Sequence, residues 1–260
     1  MKTALITGAS SGIGKAMAKL MASKSINLII TARRLEALQE LKKSLENSYK
    51  IKVNCIDLDL VEASAVRTLY NKVESLGITV DYLVNNAGFG GQGSFYERKW
   101  QDESAMMQLN MVALTQLTHL FLPGMVKRNS GKILNVASSA GLIPGGPLQS
   151  VYFATKAYVI SFSQGLAGEL FNKNVTVTAL CPGATATEFE KTANLEKTQL
   201  FVGKTFSAEA VAKDGYKAMM NGDLKCLTAL TAFQKLNIKA IPFVPTKMVL
   251  KQIKGMQENQ

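Results

Sequence analysis

Apolar residues along this chain follow two rhythms. Short runs rich in Val, Ile and Leu are separated by longer stretches in which apolar positions recur every three or four residues. The short runs predict strands at Lys2–Thr7, Asn27–Ala32, Lys52–Asp57, Tyr82–Asn85, Gly131–Ala137, Val175–Cys181 and Lys225–Ala229. The longer stretches predict helices at Ile13–Ser23, Leu35–Asn47, Ala63–Leu76, Asp102–Lys127, Val151–Phe171 and Ala208–Met220. Strand–helix alternation of this kind builds a parallel sheet with helices on both faces. Continuous apolar runs such as Leu28-Ile29-Ile30 suit strands buried on both sides. The expected class is α/β, a doubly wound parallel sheet of seven strands in a single domain spanning 1–260. Pro123 should kink or break the fourth helix. The segment 231–260 mixes lysines with apolar residues and is interrupted by Pro242 and Pro245, which predicts a C-terminal extension of short helices.

Composition narrows the functional classes. The N-terminal apolar run is too short for a signal peptide, and no uninterrupted apolar stretch reaches the ~18 residues of a membrane span, so a cytoplasmic protein is expected. Three scattered cysteines, Cys55, Cys181 and Cys226, argue against a disulfide framework, and no ligand cluster suggests a metal. The one histidine, His119, lies in an apolar helical stretch, which argues against a Ser-His-Asp hydrolase. Net charge is +11, and from Lys191 onward eleven lysines face five acids. Lysine scattering solubilises a surface; it also attracts anionic substrates or an anionic membrane face. The lysines lack the aromatic interleaving and motifs of a nucleic-acid binder.

The first strand runs into Thr7-Gly8-Ala9-Ser10-Ser11-Gly12-Ile13-Gly14, which opens the first helix. In that context Gly8 serves a tight turn, Gly12 a close backbone approach to a pyrophosphate, and Gly14 close helix packing. The anion would sit on the free N–H groups of the helix start, with Ser10, Ser11 and Ile13 in the turn. The second strand ends at Ala32-Arg33-Arg34, where an NAD-selective site would carry an acid for the ribose 2′-hydroxyl. Two guanidinium groups instead suit a 2′-phosphate, so NADP(H) is expected. Further on, Tyr152 and Lys156 are four residues apart and share one helical face, with Ser139 thirteen residues before the tyrosine. A nearby ammonium favours phenolate, which predicts a lowered Tyr152 pKa and a proton-exchanging group. The same spacing also fits an amphipathic surface pair.

With these residues in hand, the chain resembles the short-chain dehydrogenase/reductase family from Met1 to about Glu190, in motif order and spacing. Within it, the chain looks like a bacterial subgroup related to 3-ketoacyl reductases and 17β-hydroxysteroid dehydrogenases. The resemblance implies a Rossmann-type fold. It implies that Asp59-Leu60 contacts adenine, with Asp57 as a register alternative. It implies that Asn85-Asn86-Ala87-Gly88 ends the fourth strand and braces the sheet beside the cofactor. The loop Pro182-Gly183-Ala184-Thr185-Ala186-Thr187 would cradle the nicotinamide carboxamide and pyrophosphate. Asn110, Ser139, Tyr152 and Lys156 would form a catalytic tetrad, with Ser138 as the neighbour of the serine. Thr155 stands where many members have serine.

The implied scheme is carbonyl–alcohol interconversion by hydride transfer. Ser139 polarises the carbonyl, Tyr152 exchanges the proton, Lys156 tunes Tyr152 and holds the ribose, and Asn110 positions a relay water. Substrate-facing segments are expected at Phe89–Trp100, Ala140–Ser150 and Thr185–Phe206, the last as a substrate loop carrying Phe189, Phe201 and Phe206. Apolar segments with nearby lysines suit a small carbonyl or alcohol substrate, including an acyl-carrier thioester. Family members are homodimers or homotetramers, with Asp102–Lys127 and Val151–Phe171 as the shared helices. The competing reading is a non-catalytic nucleotide-binding sensor or scaffold on the same fold. Loss of Tyr152 or Lys156 would favour it, and both are present.

Overall fold

The computed structural model describes the chain except residues 194, 196, 197, 199–204 and 259–260. Seven parallel strands form one sheet: β1 (Thr3–Thr7), β2 (Asn27–Ala32), β3 (Val53–Asp57), β4 (Tyr82–Asn85), β5 (Gly131–Val136), β6 (Val175–Pro182) and β9 (Lys225–Thr228). Their order is β3-β2-β1-β4-β5-β6-β9, so the direction of winding reverses between β1 and β4. The short pair β7 (Thr185–Ala186) and β8 (Phe206–Ser207) lies outside the main sheet. Crossover helices are α1 (Gly12–Ala22), α2 (Leu35–Ser48), α3 (Ala65–Ser75), α4 (Trp100–Met107), α5 (Leu114–Lys127), α6 (Ser150–Glu169) and α8 (Ala208–Asn221), and a short helix α7 (Phe189–Thr192) lies between β7 and β8.

The continuous apolar strands are buried on both faces, as their composition requires. Leu28 and Ile30 pack with Ala4, Ile6, Met17 and Met21 on the side of α1 and α8, whereas Ile29 joins Leu5, Leu69 and Phe121 on the side of α3 and α5. Alternation along a pleated strand thus feeds two cores from one uninterrupted apolar run.

The fourth helical stretch departs from expectation. Pro123 does not break it: α5 runs through the proline to Lys127. Pro123 and His119 are both exposed, so water can satisfy the carbonyl that the proline leaves without a donor. The irregularity lies earlier, where a π-helical turn at Gln108–Ala113 joins α4 to α5. The whole run Trp100–Lys127 is long and apolar enough to cross a membrane by length and composition, although no uninterrupted apolar stretch is visible in the sequence. Here it packs on the sheet, with Met106, Leu117, Phe121 and Met125 buried.

A buried polar chain fastens this layer. Asn85 Nδ2 donates to Thr118 Oγ1 (3.0 Å) and Asn135 Oδ1 (2.9 Å), and Asn135 Nδ2 donates to Ser163 Oγ (2.9 Å). It ties β4 and β5 to α5 and α6, which carry the chemistry described below. Asn135→Ala removes one acceptor from the buried Asn85 amide and the donor to Ser163 Oγ, leaving Asn85 with Thr118 and Ser163 with the Val159 carbonyl. It should lower unfolding stability by about 2–3 kcal/mol in a denaturant titration at unchanged m.

Candidate active site

The switch point between β1 and β4 is knitted by hydrogen bonds. Thr7 Oγ1 accepts from the backbone N–H of Asn86 (3.0 Å) and Ala87 (2.9 Å), and Asn86 Nδ2 donates to the carbonyls of Thr7 (2.9 Å) and Gly8 (3.2 Å). The turn after β1 then enters α1 with no space to spare. A Cβ on Gly14 would lie 2.3 Å from the Gly8 carbonyl oxygen and 2.5 Å from Asn86 Nδ2. The first turn of α1 carries no acid, and Ser11 at its N-cap makes no side-chain cap bond, so its leading N–H groups are suited to an anion.

A cavity of about 870 Å³ opens along the carboxyl ends of the strands. Gly8, Ser10, Ser11, Gly12 and Ile13 border it, as do Arg33, Arg34, Asp59 and Leu60 at the ends of β2 and β3. Asn86, Ala87, Gly88, Pro182, Gly183, Thr185 and Thr187 complete the side nearest the turn. Of the residues expected around the cofactor, Gly14 packs behind the turn, and Asn85 and Ala186 also lie outside the cavity lining. Asp57 is exposed at the end of β3 and lies outside the lining, which favours Asp59 of the two registers.

The two arginines differ in their engagements. Arg33 Nη1 lies 3.8 Å from Asp59 Oδ2, whereas Arg34 Nη2 donates to Glu188 Oε2 (2.7 Å) and to Ser10 Oγ (3.3 Å). The Arg34 hydrogen bond holds the Glu188 carboxyl below its usual pKa. Arg34 therefore links the glycine turn to the segment after Thr187. That contact was invisible in sequence, since Glu188 is 154 residues away.

At the far end of the turn side, α6 presents Tyr152 and Lys156 on one face, both buried. Lys156 Nζ donates to the Val136 carbonyl (2.9 Å) and stands 5.8 Å from the centroid of the Tyr152 ring. The expected lowering of the tyrosine pKa is not found. Burial pushes Tyr152 up to about 12, and burial lowers Lys156 to about 8. The ammonium is spent on a backbone carbonyl and sits over the ring rather than on the phenol oxygen, so desolvation wins.

The serine assignment also changes. Of the two adjacent serines, Ser138 is the one whose side chain acts on the Tyr152 phenol, lowering its pKa against the larger effect of burial. Ser138 is still extended (φ −167°, ψ 157°), and its Oγ caps the following 3₁₀ turn, Ser139–Leu142, by accepting from Ala140 N (3.1 Å). Ser139 begins that turn and borders the cavity beside it. Spacing alone could not separate adjacent serines. The preference of serine for a cap position was the available signal.

Asn110 sits in the π-helical turn and is buried. Its Oδ1 accepts from Phe89 N (3.1 Å), and its Nδ2 donates to Phe89 O (2.9 Å) and Thr155 Oγ1 (3.1 Å). Both amide donors are thus committed to protein, and the residue acts as a brace between the strand-end loop and α6. Thr155, the departure from the family pattern, completes that brace. A Cβ on Gly88 would come within 2.9 Å of Asn110 Oδ1 and 3.4 Å of Lys156 Nζ, so a glycine lets the loop approach both.

Phe89, Ile143 and Phe189 from the three expected substrate segments line the cavity, and Phe189 packs against Tyr152 at 5.5 Å between ring centroids. Phe95, Tyr96 and Trp100 instead point to solvent, Phe206 lies outside the lining, and Phe201 falls outside the described residues. The unforeseen wall is C-terminal. Helix α9 (Ala232–Ala240), a 3₁₀ turn (Ile241–Phe243) and α10 (Thr246–Gln257) roof the cavity through Ile238, Ile241, Val249, Ile253 and Gln257. The Gln257 side-chain amide is fully buried, and among the described residues neither its oxygen nor its nitrogen has a hydrogen-bond partner.

A winding reversal at β1/β4, a glycine turn and a buried Tyr–Lys pair define a nucleotide-dependent oxidoreductase of the doubly wound class. Residues 2–198 match the family model for short chain dehydrogenases, and the chain belongs to that family. It is 35% identical over 196 residues to very-long-chain 3-oxoacyl-CoA reductase-B of Danio rerio, covering 73% of this chain but 61% of that protein. The corresponding human protein is 31% identical over 229 residues, covering 85% of this chain and 71% of the human one. A 3-oxoacyl-acyl-carrier-protein reductase of Aquifex aeolicus is 31% identical over 216 residues, with 81% and 87% covered. Among solved structures, a short-chain dehydrogenase from Sphingobium yanoikuyae in complex with NADPH superposes with a TM-score of 0.84 at 26% identity, over 100% of this chain and 99% of that one. A family member from Burkholderia phymatum in complex with NAD gives 0.81 at 26% identity, over 93% and 94%.

Proposed function

We propose that this protein is an NADPH-dependent reductase of ketones carried on apolar chains, with 3-oxoacyl thioesters as the favoured class. The observation that carries the reading is the buried Tyr152–Lys156 pair, with Ser138 and Ser139 beside it, in a cavity that runs from the glycine turn to an apolar C-terminal roof. The cradle fits a dinucleotide. Its acid-free helix start suits the pyrophosphate, Asp59 and Leu60 the adenosine, Lys156 the nicotinamide ribose, and Pro182, Gly183, Thr185 and Thr187 the carboxamide end. When bound, the cofactor supplies the hydride.

The chain's own residues handle the oxygen. Ser138 donates a hydrogen bond to the carbonyl oxygen, with Ser139 beside it, and Tyr152 delivers a proton to the developing alkoxide. A phenol held at about 12 is fully protonated at neutral pH, as an acid in the reducing direction must be. Asn110 holds Phe89 and Thr155, and so the distance between the loop and α6, rather than touching the reacting atoms. The unpaired Gln257 amide suits a polar group along the acyl chain, such as a thioester or amide oxygen.

The test follows NADPH oxidation with 3-oxoacyl thioesters of increasing chain length beside small ketones. Rising kcat/KM with chain length is expected, and no preference for the longer thioesters would sink the substrate reading. Arg33 and Arg34 are proposed to hold the 2′-phosphate. Arg33→Asp should then lower kcat/KM with NADPH by about 10- to 100-fold and change it little with NADH. Equal losses with both cofactors would remove the arginine from selectivity.

A further inference from the structure

Helix α9 buries none of its nine residues. Its inner side borders the cavity through Gln234, Asn237, Ile238 and, just beyond, Ile241. Its outer side presents Phe233 (71% exposed) and Leu236 (64%), three residues apart on one face. Phe243 (88%) follows in the 3₁₀ turn, and Met248 (64%) in α10. Isolated exposed apolar residues are ordinary, but four large ones within one segment of two short helices and a 3₁₀ turn mark a contact surface.

The same segment is basic. Between 231 and 260 there are five lysines, Lys235, Lys239, Lys247, Lys251 and Lys254, against one acid, Glu258. Lys254 lies 3.7 Å from Glu258, and none of the other four is ion-paired among the described residues.

We propose that this roof docks on an anionic lipid surface. Phe233, Leu236, Phe243 and Met248 would enter the acyl boundary, and the lysines would meet headgroup phosphates. The charge pattern favours lipid over a second copy of the chain. A two-fold contact would set each lysine-rich segment against its own like, and lysine is depleted from the cores of protein interfaces. The placement has a consequence that rests on the proposed reductase reading. One helix thickness separates the docking side from the cavity, so a long apolar substrate could pass from the bilayer to Tyr152 beneath α9 without crossing bulk water.

The test uses the full chain in co-sedimentation with vesicles, either of phosphatidylcholine alone or with about a third phosphatidylglycerol. Binding to the anionic vesicles should exceed binding to the neutral ones by about tenfold or more and weaken as salt rises. The double variant Phe233→Ser/Phe243→Ser should lose at least about tenfold in vesicle affinity. Neither residue lines the cavity, so turnover of a short water-soluble carbonyl should stay at the wild-type level. Lys235→Glu/Lys239→Glu should abolish the preference for anionic lipid. Wild-type protein left in the supernatant with both vesicle types overturns the proposal. So does a Phe233/Phe243 variant that dissociates an oligomer in analytical ultracentrifugation while binding vesicles normally, which would assign the face to a second copy. The vesicle readout needs no turnover, so its failure is distinct from failure of the reductase reading.

Discussion

Tyr152→Phe is expected to lower kcat for carbonyl reduction by about 10²–10⁴-fold while leaving NADPH affinity within about twofold. The substitution removes one oxygen and keeps the ring. Packing against Phe189 is preserved, and the glycine turn and the ends of β2 and β3, where affinity for the dinucleotide resides, are untouched. What is lost is the group proposed to protonate the alkoxide. Ser138 remains to polarise the carbonyl, so the residual rate measures its share, and Tyr152→Phe/Ser138→Ala should fall further. Single-turnover NADPH oxidation gives the rate, and a cofactor fluorescence titration gives the affinity. A variant with wild-type turnover would end the assignment of Tyr152 as the acid.

Lys156→Met should abolish reduction and also remove a pH dependence of stability. Burial lowers the lysine from 10.5 to about 8, a difference worth roughly 3 kcal/mol. The sign follows from proton uptake. Between about 8 and 10.5 the unfolded chain holds the proton that the folded protein has released, so wild-type stability rises with pH across that window. Below about pH 8 the ammonium is charged in both states, and the folded state bears its full desolvation. Tyr152 acts oppositely but higher. Its phenol is raised from 10 to about 12, so its stabilising contribution is intact below pH 10 and fades above it. Denaturant unfolding without added cofactor from pH 7 to 10 should therefore show wild type gaining roughly 2–3 kcal/mol relative to Lys156→Met. A pH-independent difference would mean that the lysine is not desolvated as the geometry indicates.

The fold was legible because its strands are local and strongly patterned. Asn27–Ala32 and Tyr82–Asn85 have the predicted bounds, and the other five strands of the main sheet differ by one residue at one end. Leu28-Ile29-Ile30 could be assigned to both cores from composition alone, since only a doubly covered sheet can bury such a run. Pro123 misled because a missing donor disrupts a helix only where nothing else satisfies the carbonyl, and here that side faces water.

The active site was legible as a set of residues and not as a set of partners. Gly8, Gly12, Arg33, Asp59, Tyr152 and Lys156 all border one cavity, because each belongs to a strand end, a turn or one helical face. The sequence by itself determined which elements form and which of their ends carry polar chemistry, since both depend on neighbours a few residues apart. Only the tertiary structure decided that Ser138 and Ser139 both border the cavity beside the tyrosine and that Lys156 is held by the Val136 carbonyl. It also decided that Asn110 spends its amide on Phe89 and Thr155, and that α9 and α10 close the cavity. Those outcomes depend on distances between segments tens to more than a hundred residues apart and on how far burial strips water from each group, and neither quantity is a property of any one stretch of chain.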